Sequence, residues 1–126
     1  TISSMSFDWR EYIDLAEALM GRNSKPITIE AAFRCSMSRI YYAAFCHARN
    51  YAQKKQSFAA RCNASDHARI REHFRSSGMT RIAGNLDRLR QWRNACDYED
   101  SIEISERSYD AMMAQAKYVL EALRDK

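Results

Sequence analysis

IEAAFRCSMSRIYYAAFCHARNYAQKK, residues 29–55, contains no Gly or Pro and repeats apolar side chains at the spacing of an α-helix. Thr28, immediately before it, is a residue type that caps helix N-termini. At 1.5 Å per residue this helix would span about 40 Å, enough to form the spine of a small bundle. Its predicted buried stripe consists of Ile29, Ala32, Phe33, Met37, Ile40, Tyr41, Ala44, Phe45 and Ala48.

A second stripe of the same helix is made of small or weakly polar residues. These are Cys35, Ser38, Tyr42 and Cys46. Because the distance between packed helices depends on the side chains at the contact, small residues permit close approach. We therefore expect another helix to pack there, from the same chain or from a second copy.

The rest of the chain shows four further helical patterns. We predict helices over residues 8–20, 66–76, 80–98 and 106–124, with connections at 23–26 and 56–63. Asp8 and Glu11 form a capping-box pattern, Ser65 and Ser105 are cap-forming residues, and Gly78 ends the third helix. With three Gly and one Pro in 126 residues, the chain has too few turn formers for a many-stranded β fold. The sequence therefore predicts an all-α bundle of four to five helices.

Length and composition exclude several classes of protein. The chain suits one domain, which we place at residues 5–126; residues 1–4, ahead of a natural start at Met5, are set aside as an added remnant. No run approaches the roughly 20 apolar residues of a membrane span, and no secretory leader pattern opens the chain. The four cysteines have no Cys-x-x-Cys spacing, so we expect reduced thiols in a cytoplasmic protein. Cys62, His67 and His73 match no common zinc spacing, and we predict no metal or other cofactor.

Charge is distributed unevenly beneath a net charge of +4. From Arg34 to Arg93 there are 13 basic and three acidic residues, whereas Asp97 to Asp110 holds six acids and one Arg. The basic middle indicates an anionic partner, of which nucleic acid is the usual one. Alternatively, Arg serves there as a good helix former whose stem covers apolar surface. The acidic segment either begins a helix or shields the basic surface until a partner displaces it.

Arg93 interrupts the apolar stripe of the fourth predicted helix. It lies four residues after Leu89 and three before Cys96 on the same face. A charged group there must be paired, reach outward, or face a partner across an interface or cleft. Either Arg93 forms a buried pair with Asp97 at i+4, or it faces a phosphate or a second subunit.

Two strings of residues carry a family resemblance. They are SRIYYAAF at residues 38–45, followed by Ala48 and Arg49, and LRQWRNACDY at residues 89–98. Together they resemble the HEPN superfamily (higher eukaryotes and prokaryotes nucleotide-binding domain). FDWREY at residues 7–12 and the closing amphipathic helix fit the same small prokaryotic branch, so the resemblance covers nearly the whole chain.

The resemblance implies a bundle that dimerises through its second and fourth helices, which meet in a basic cleft. Many members of the superfamily are metal-independent ribonucleases, among them toxins of toxin–antitoxin pairs and antiviral defence components. Their motif has an Arg, commonly followed by a polar residue, and a His after four to six intervening residues. Arg93 and Asn94 match its first half, and Tyr98 stands where His is expected. A tyrosine hydroxyl is a poor general base at neutral pH, and no His follows Tyr98.

The resemblance and the basic pattern together predict the site residues. The predicted catalytic group, in which Asn94 and Asp97 are orienting groups, is Arg93, Asn94, Asp97 and Tyr98. The predicted RNA contacts on the third and fourth helices are Arg71, Arg75, Arg81, Arg88 and Arg90. The predicted cleft-lining residues on the second helix, where the resemblance places the cleft, are Ser38, Tyr42 and His47.

Two functions follow from the resemblance. The first is a toxin-like or defence-associated ribonuclease component that binds RNA with Arg93 in a dimeric basic cleft. The second is a non-catalytic HEPN module that forms a homodimer and binds a nucleotide or a partner protein. That partner would be a cognate antitoxin, or a nucleotidyltransferase that modifies Tyr98. The missing motif His favours the second function, and the basic middle favours the first.

Overall fold

The structure, a computed structural model, describes residues 2–3, 6–22 and 25–124. These ranges contain five helices and one pair of short strands: β1 (Ile2–Ser3), α1 (Glu11–Leu19), α2 (Ile29–Lys55), α3 (Ser65–Ser76), α4 (Thr80–Tyr98), β2 (Glu103–Ile104) and α5 (Glu106–Ala122). The predicted all-α bundle is confirmed, with the strand pair as a small addition. Met5, and Asn23 and Ser24 of the predicted 23–26 connection, lie outside the described residues.

The central element is α2, which packs mainly against α4 and α5 and also contacts α1 and α3. Its predicted bounds are confirmed, and the Thr28 hydroxyl accepts a hydrogen bond from the Ala31 backbone N–H at 3.1 Å. Most of the predicted stripe is buried. Ile29 and Ala32, which the pattern predicts to be buried, are exposed, because the first turns of α2 bury Ala31 and Arg34 instead.

The core is completed by α4 and α5. The bounds of α4 agree with the prediction, and the apolar stripe predicted for it is buried. Ser105 caps α5 as predicted, since its hydroxyl accepts a hydrogen bond from the Ser108 backbone N–H at 3.0 Å. The last residue of α5 is Ala122, two residues before the predicted end.

The predicted capping box at the start of α1 is wrong. The helix begins at Glu11 rather than at residue 8, and its N-cap, Arg10, has no side-chain cap bond. The Asp8 carboxylate accepts hydrogen bonds from the backbone N–H and the guanidinium of Arg10. The Glu11 carboxylate accepts a hydrogen bond from the Thr28 hydroxyl. Both carboxylates therefore have other partners, and the box does not close.

The predicted cap of the third helix, Ser65, is instead the first residue of α3. The side-chain oxygen of Asn63 accepts a hydrogen bond from the Ser65 backbone N–H at 2.9 Å. Asp66 is buried and accepts hydrogen bonds from the backbone N–H groups of residues 61–62 at 2.9–3.1 Å. The loop before α3 is thus held by a side chain on each side of the helix start. Gly78, with a φ of +80°, follows the helix end as predicted.

The strands β1 and β2 pair antiparallel, with Ile2 opposite Ile104 and Ser3 opposite Glu103. The sequence predicts no strand here, because two residues are too few to show an alternating pattern. The pairing brings residues that the prediction leaves outside the domain next to the acidic segment between α4 and α5.

The end of α4 is held by Arg34, a fully buried side chain of α2. Its Nη1 donates hydrogen bonds to the carbonyl oxygens of Cys96 and Glu99 at 2.9 and 2.7 Å, and its Nη2 donates to that of Asp100 at 3.2 Å. Its Nε pairs with Glu30 at 2.9 Å. The last carbonyls of a helix have no intrahelical partner and carry partial negative charge. A buried guanidinium therefore fixes this end of α4 against α2.

Among the described residues, no helix combines the length and the apolar character needed to cross a membrane. The same residues hold no group of three or more His, Cys, Asp or Glu arranged around a common metal position. All four cysteines are free thiols, of which Cys96 is buried and Cys62 is exposed.

Candidate nucleic-acid interface

Arg93 is packed against two tyrosines of α2. Its guanidinium carbon lies 5.1 Å from the centre of the Tyr41 ring and 5.5 Å from that of Tyr42. Its Nη1 lies 3.8 Å from a carboxylate oxygen of Asp97, which is a long contact for an ion pair. Its Nε is buried without a hydrogen-bond partner in the described part of the chain. The pair with Asp97 that the spacing predicts is therefore present, but it leaves the guanidinium incompletely satisfied.

Two more arginines share a single carboxylate. Asp87 Oδ1 lies 2.9 Å from Arg90 Nη2 on the same helix and 3.5 Å from Arg71 Nε on α3. Burial, together with the nearby charge of Arg90, lowers the pKa of Arg71 below the ordinary value for arginine. Burial is the larger of these two causes, and the attraction to Asp87 acts in the opposite direction.

Arg39 of α2 places a fourth guanidinium in the same area, with its carbon 5.5 Å from the centre of the Tyr42 ring. What we name the arginine cluster consists of Arg39, Arg71, Arg90 and Arg93. Among the described residues its members form ion pairs with two carboxylates, Asp87 and Asp97. Burial raises the pKa of Asp97, while the charges of Arg93 and Arg39 act to lower it. Four guanidinium groups against two carboxylates leave an excess of positive charge.

His67 of α3 lies beside this cluster. Its ring stacks on Phe45 with 4.1 Å between ring centres, and its Nδ1 is hydrogen-bonded to the Tyr41 hydroxyl. Burial and then the charges of Arg93 and Arg71 lower the pKa of His67 below its ordinary value of 6.5. Burial raises the pKa of Tyr41 to about 12, so that its hydroxyl stays protonated. At neutral pH the site thus contains a neutral imidazole next to several guanidinium groups.

Two grooves open beside the tyrosines. The first, named the Ser38 groove, has a volume of about 300 Å³ and is lined by Tyr12, Leu15, Ala16, Leu19, Cys35, Ser38, Arg39 and Asp97. The second, named the His67 groove, has a volume of about 320 Å³ and is lined by Tyr42, Phe45, Cys46, Arg49, Cys62, Asn63, Asp66 and His67. Arg39 of the first groove lies over Tyr42 of the second, so the two grooves are neighbours.

The four predicted catalytic residues have different surroundings. Arg93 and Asp97 form the ion pair already described, and Asp97 lines the Ser38 groove together with Ser38. Asn94 is half-buried. Tyr98 is 73% exposed, so it does not close the end of α4 against the core. The structure therefore brings Arg93 and Asp97 together with the predicted cleft residue Ser38, and it leaves Tyr98 facing outward.

Of the predicted RNA-contacting arginines, Arg71 and Arg90 belong to the arginine cluster. The other three are exposed and have other neighbours. Arg75 pairs with Glu72 at 2.9 Å, Arg81 lies over the Tyr118 ring of α5, and Arg88 donates a hydrogen bond to Asn85. The basic surface thus extends beyond the cluster, but these three side chains are not packed within it.

The structure turns His47 toward α5, where its Nε2 lies 2.8 Å from the Leu123 carbonyl oxygen. Of the predicted cleft residues, Ser38 and Tyr42 line the two grooves and His47 lines neither. The histidine beside the arginine cluster is His67, for which the sequence predicts a solvent-facing position or a minor RNA contact and no catalytic role. Its signal in the sequence is its position on the basic third helix, but the pattern does not reveal that α3 packs beside Tyr41 and Phe45.

Comparisons of the chain with protein-family models, with curated proteins and with solved structures give no match. The geometry itself therefore carries the functional argument. Clustered guanidinium groups on tyrosine rings can bind an anion and stack against a base. A neutral imidazole in the same place can accept a proton.

Proposed function

We propose that this chain is an RNA-directed protein of the HEPN type, a toxin-like or defence-associated ribonuclease component. One observation carries the proposal: the three guanidinium groups of Arg71, Arg90 and Arg93 pair with only two carboxylates, and a fourth, that of Arg39, lies over the Tyr42 ring beside Arg93. Clustered like charges disfavour the folded state, and an anion that binds between them relieves the repulsion. A phosphate diester supplies that anion together with bases that stack on tyrosine rings.

Arginine suits a phosphate because its planar guanidinium can donate two parallel hydrogen bonds to one anion. In the proposed complex, Arg90 and Arg71 hold the backbone of the strand, and Arg93 contacts the phosphate that reacts. Charge on that phosphate increases in the transition state, and a fixed guanidinium in a partly buried site stabilises it. Asn94 and Asp97 orient Arg93 rather than transfer protons.

The proposal includes a homodimer, and the apolar surface of α1 supports it. No residue of α1 is buried. Ile13, Leu19, Met20 and Ile29 are each more than 60% exposed. Soluble proteins rarely leave a large apolar patch uncovered unless it is an interaction site. A second copy covering this face would pack on α1 and the start of α2, rather than on α2 and α4 as the resemblance implies, and would bring two Ser38 grooves toward each other.

RNA binding at several salt concentrations tests the proposal. Each phosphate contact to a single strand contributes about 0.7 to the slope of log Kd against log salt concentration. Replacing both Arg90 and Arg93 with Gln should weaken binding and reduce the slope by about 1.4. The matched control replaces Arg10 and Arg124, two exposed arginines outside the cluster, and should keep the wild-type slope. Equal slopes for the two double variants would contradict the proposal.

The alternative is a non-catalytic HEPN module that binds a partner protein, and the exposure of Tyr98 favours it. With 73% of its surface exposed at the end of α4, Tyr98 is accessible to a modifying enzyme such as a nucleotidyltransferase. Peptide mass spectrometry of the protein from its own cells would detect a nucleotidyl group on Tyr98. That modification together with a flat salt slope would favour the alternative over RNA binding.

A further inference from the structure

His67 is held in a fixed orientation with one ring nitrogen unoccupied. Stacking on Phe45 and the hydrogen bond between Nδ1 and the Tyr41 hydroxyl define the plane and rotation of its ring. Within the described residues no hydrogen bond involves its Nε2. The ring lines the His67 groove beside Tyr42. Nε2 therefore has no competing hydrogen-bond partner among the described residues.

We infer that His67 is the general base of the RNA cleavage proposed above, an inference that rests on the proposed function. Its Nε2 accepts the proton of a ribose 2′-hydroxyl while the 2′-oxygen forms a bond to the adjacent phosphorus. The bond from that phosphorus to the 5′-oxygen of the next nucleotide breaks, and the 5′-oxygen takes a proton from water. The products are a 2′,3′-cyclic phosphate and a 5′-hydroxyl, and His67 then returns its proton to solvent.

Tyr41 connects the base to the group that stabilises the phosphate. Its hydroxyl contacts His67, and its ring lies 5.1 Å from the guanidinium carbon of Arg93. The base and the guanidinium therefore meet at one tyrosine, as a reaction at a single phosphate requires. Tyr41 is a positioning residue: in the tautomer that the inference requires, its hydroxyl oxygen accepts the Nδ1 hydrogen of His67, which leaves the lone pair on Nε2.

The surroundings of His67 favour its neutral form. Burial is the main cause of its lowered pKa, and the guanidinium groups of Arg93 and Arg71 add to it. A neutral ring at pH 7 can accept a proton without first losing one. The titratable and charged groups that face it from the neighbouring elements are Tyr41, Tyr42, Cys46 and Arg49 of α2, Cys62 of the loop before α3, Asp66 and Arg71 of α3, and Arg90 and Arg93 of α4.

Single-turnover cleavage of a short RNA by His67→Asn tests the inference. Asparagine can keep a polar atom near the position of Nδ1, but it has none at the position of Nε2. We expect the cleavage rate to fall by about 10²-fold or more, while the Kd for RNA changes by less than about threefold. The matched control is His73→Gln on the same helix, because Gln can keep the hydrogen bond that His73 makes with Gln56. Its rate should equal that of the wild type.

Three further measurements do not depend on His67→Asn. The kcat/KM of the wild type should rise with pH through a pKa below 6.5 and then level off. Tyr41→Phe, which keeps the ring and removes the hydroxyl, should shift that pKa and lower kcat more than it changes KM. Long-range ¹H–¹⁵N NMR of the wild type should show the neutral ring of His67 protonated at Nδ1.

The outcomes separate the inference from the proposed function. Cleavage by His67→Asn within about twofold of wild type overturns the role of His67 and leaves RNA cleavage standing. An NMR spectrum that shows the neutral ring of His67 protonated at Nε2 also overturns the role of His67 and leaves RNA cleavage standing. This spectrum decides whether His67 is the base if circular dichroism shows that His67→Asn is unfolded. Absence of cleavage by the wild type with every RNA offered overturns both.

Discussion

Asp87→Asn distinguishes an arginine cluster that merely holds the fold from one that binds an anion. The change removes one negative charge and keeps the shape of the side chain. The hydrogen-bonded contact with Arg90 at 2.9 Å contributes about 1 kcal/mol, and the longer contact with Arg71 at 3.5 Å about 0.5 kcal/mol. We expect the free energy of unfolding to fall by about 1–2 kcal/mol, which lowers the Tm by about 4–8 °C in a chain of this size.

The same substitution should strengthen RNA binding. Asp87 competes with phosphate for Arg71 and Arg90, and its removal leaves their mutual repulsion to be relieved by the ligand. We expect the Kd measured by fluorescence anisotropy near 0.1 M salt to fall by about three- to tenfold, or about 0.6–1.4 kcal/mol. Glu72→Gln is the control, since it removes the same charge from an exposed pair with Arg75. It should change stability less than Asp87→Asn does, and Kd by less than about twofold.

The stability effect of Asp87→Asn has a defined pH dependence. Hydrogen bonding to Arg90, followed by the charges of Arg90 and Arg71, holds the pKa of Asp87 below its usual value of 3.8. A carboxylate whose pKa is lowered by folding stabilises the folded state above the unfolded-state pKa, and this contribution is lost as the pH falls through the folded-state pKa. The difference in Tm between wild type and Asp87→Asn should therefore be complete at about pH 5 and shrink below pH 3.8.

Reduced stability of Asp87→Asn with unchanged or weaker RNA binding would refute an anion-binding role for the arginine cluster.

Two further predictions concern stability. Arg34→Met should lower the free energy of unfolding by about 3–5 kcal/mol in urea titrations, because Glu30 and the last carbonyls of α4 lose a buried partner. Arg10→Met, at an exposed pair, should change it much less, and equal losses for the two variants would contradict the buried role of Arg34. Thr28→Ala should cost about 1 kcal/mol because it removes the cap of α2, whereas Asp8→Ala should cost less because Asp8 caps no helix. A larger loss of stability for Asp8→Ala than for Thr28→Ala in the same titrations would indicate that the capping box predicted at α1 forms.

The sequence predicts the long helices well because their signals reinforce one another. In α2 a cap, an uninterrupted apolar period and the absence of Gly and Pro all agree, and the predicted bounds 29–55 are confirmed. The start of α1 is predicted wrongly because a capping-box pattern specifies residue types and not partners. Asp8 bonds to Arg10, and Glu11 bonds to Thr28 across a loop, which no local pattern reveals.

The candidate site is predictable only in part, for a related reason. Arg93 is conspicuous in the sequence as a charge on an apolar stripe, and the structure places it partly buried on that stripe. His67 has no such signal, because its role depends on how α3 packs beside Tyr41 and Phe45. Tertiary packing, which the periodicity of one helix does not encode, decides which histidine lies beside the arginines.

The most direct test of the proposed ribonuclease function is cleavage of end-labelled RNA by the purified chain in the presence of a chelator. We expect fragments with 2′,3′-cyclic phosphate ends from the wild type and from Tyr98→Phe, since Tyr98 faces outward. We also expect a loss of about 10²-fold or more in rate for Arg93→Gln. No cleavage of any RNA by the wild type, or equal cleavage by wild type and Arg93→Gln, would contradict the proposed function.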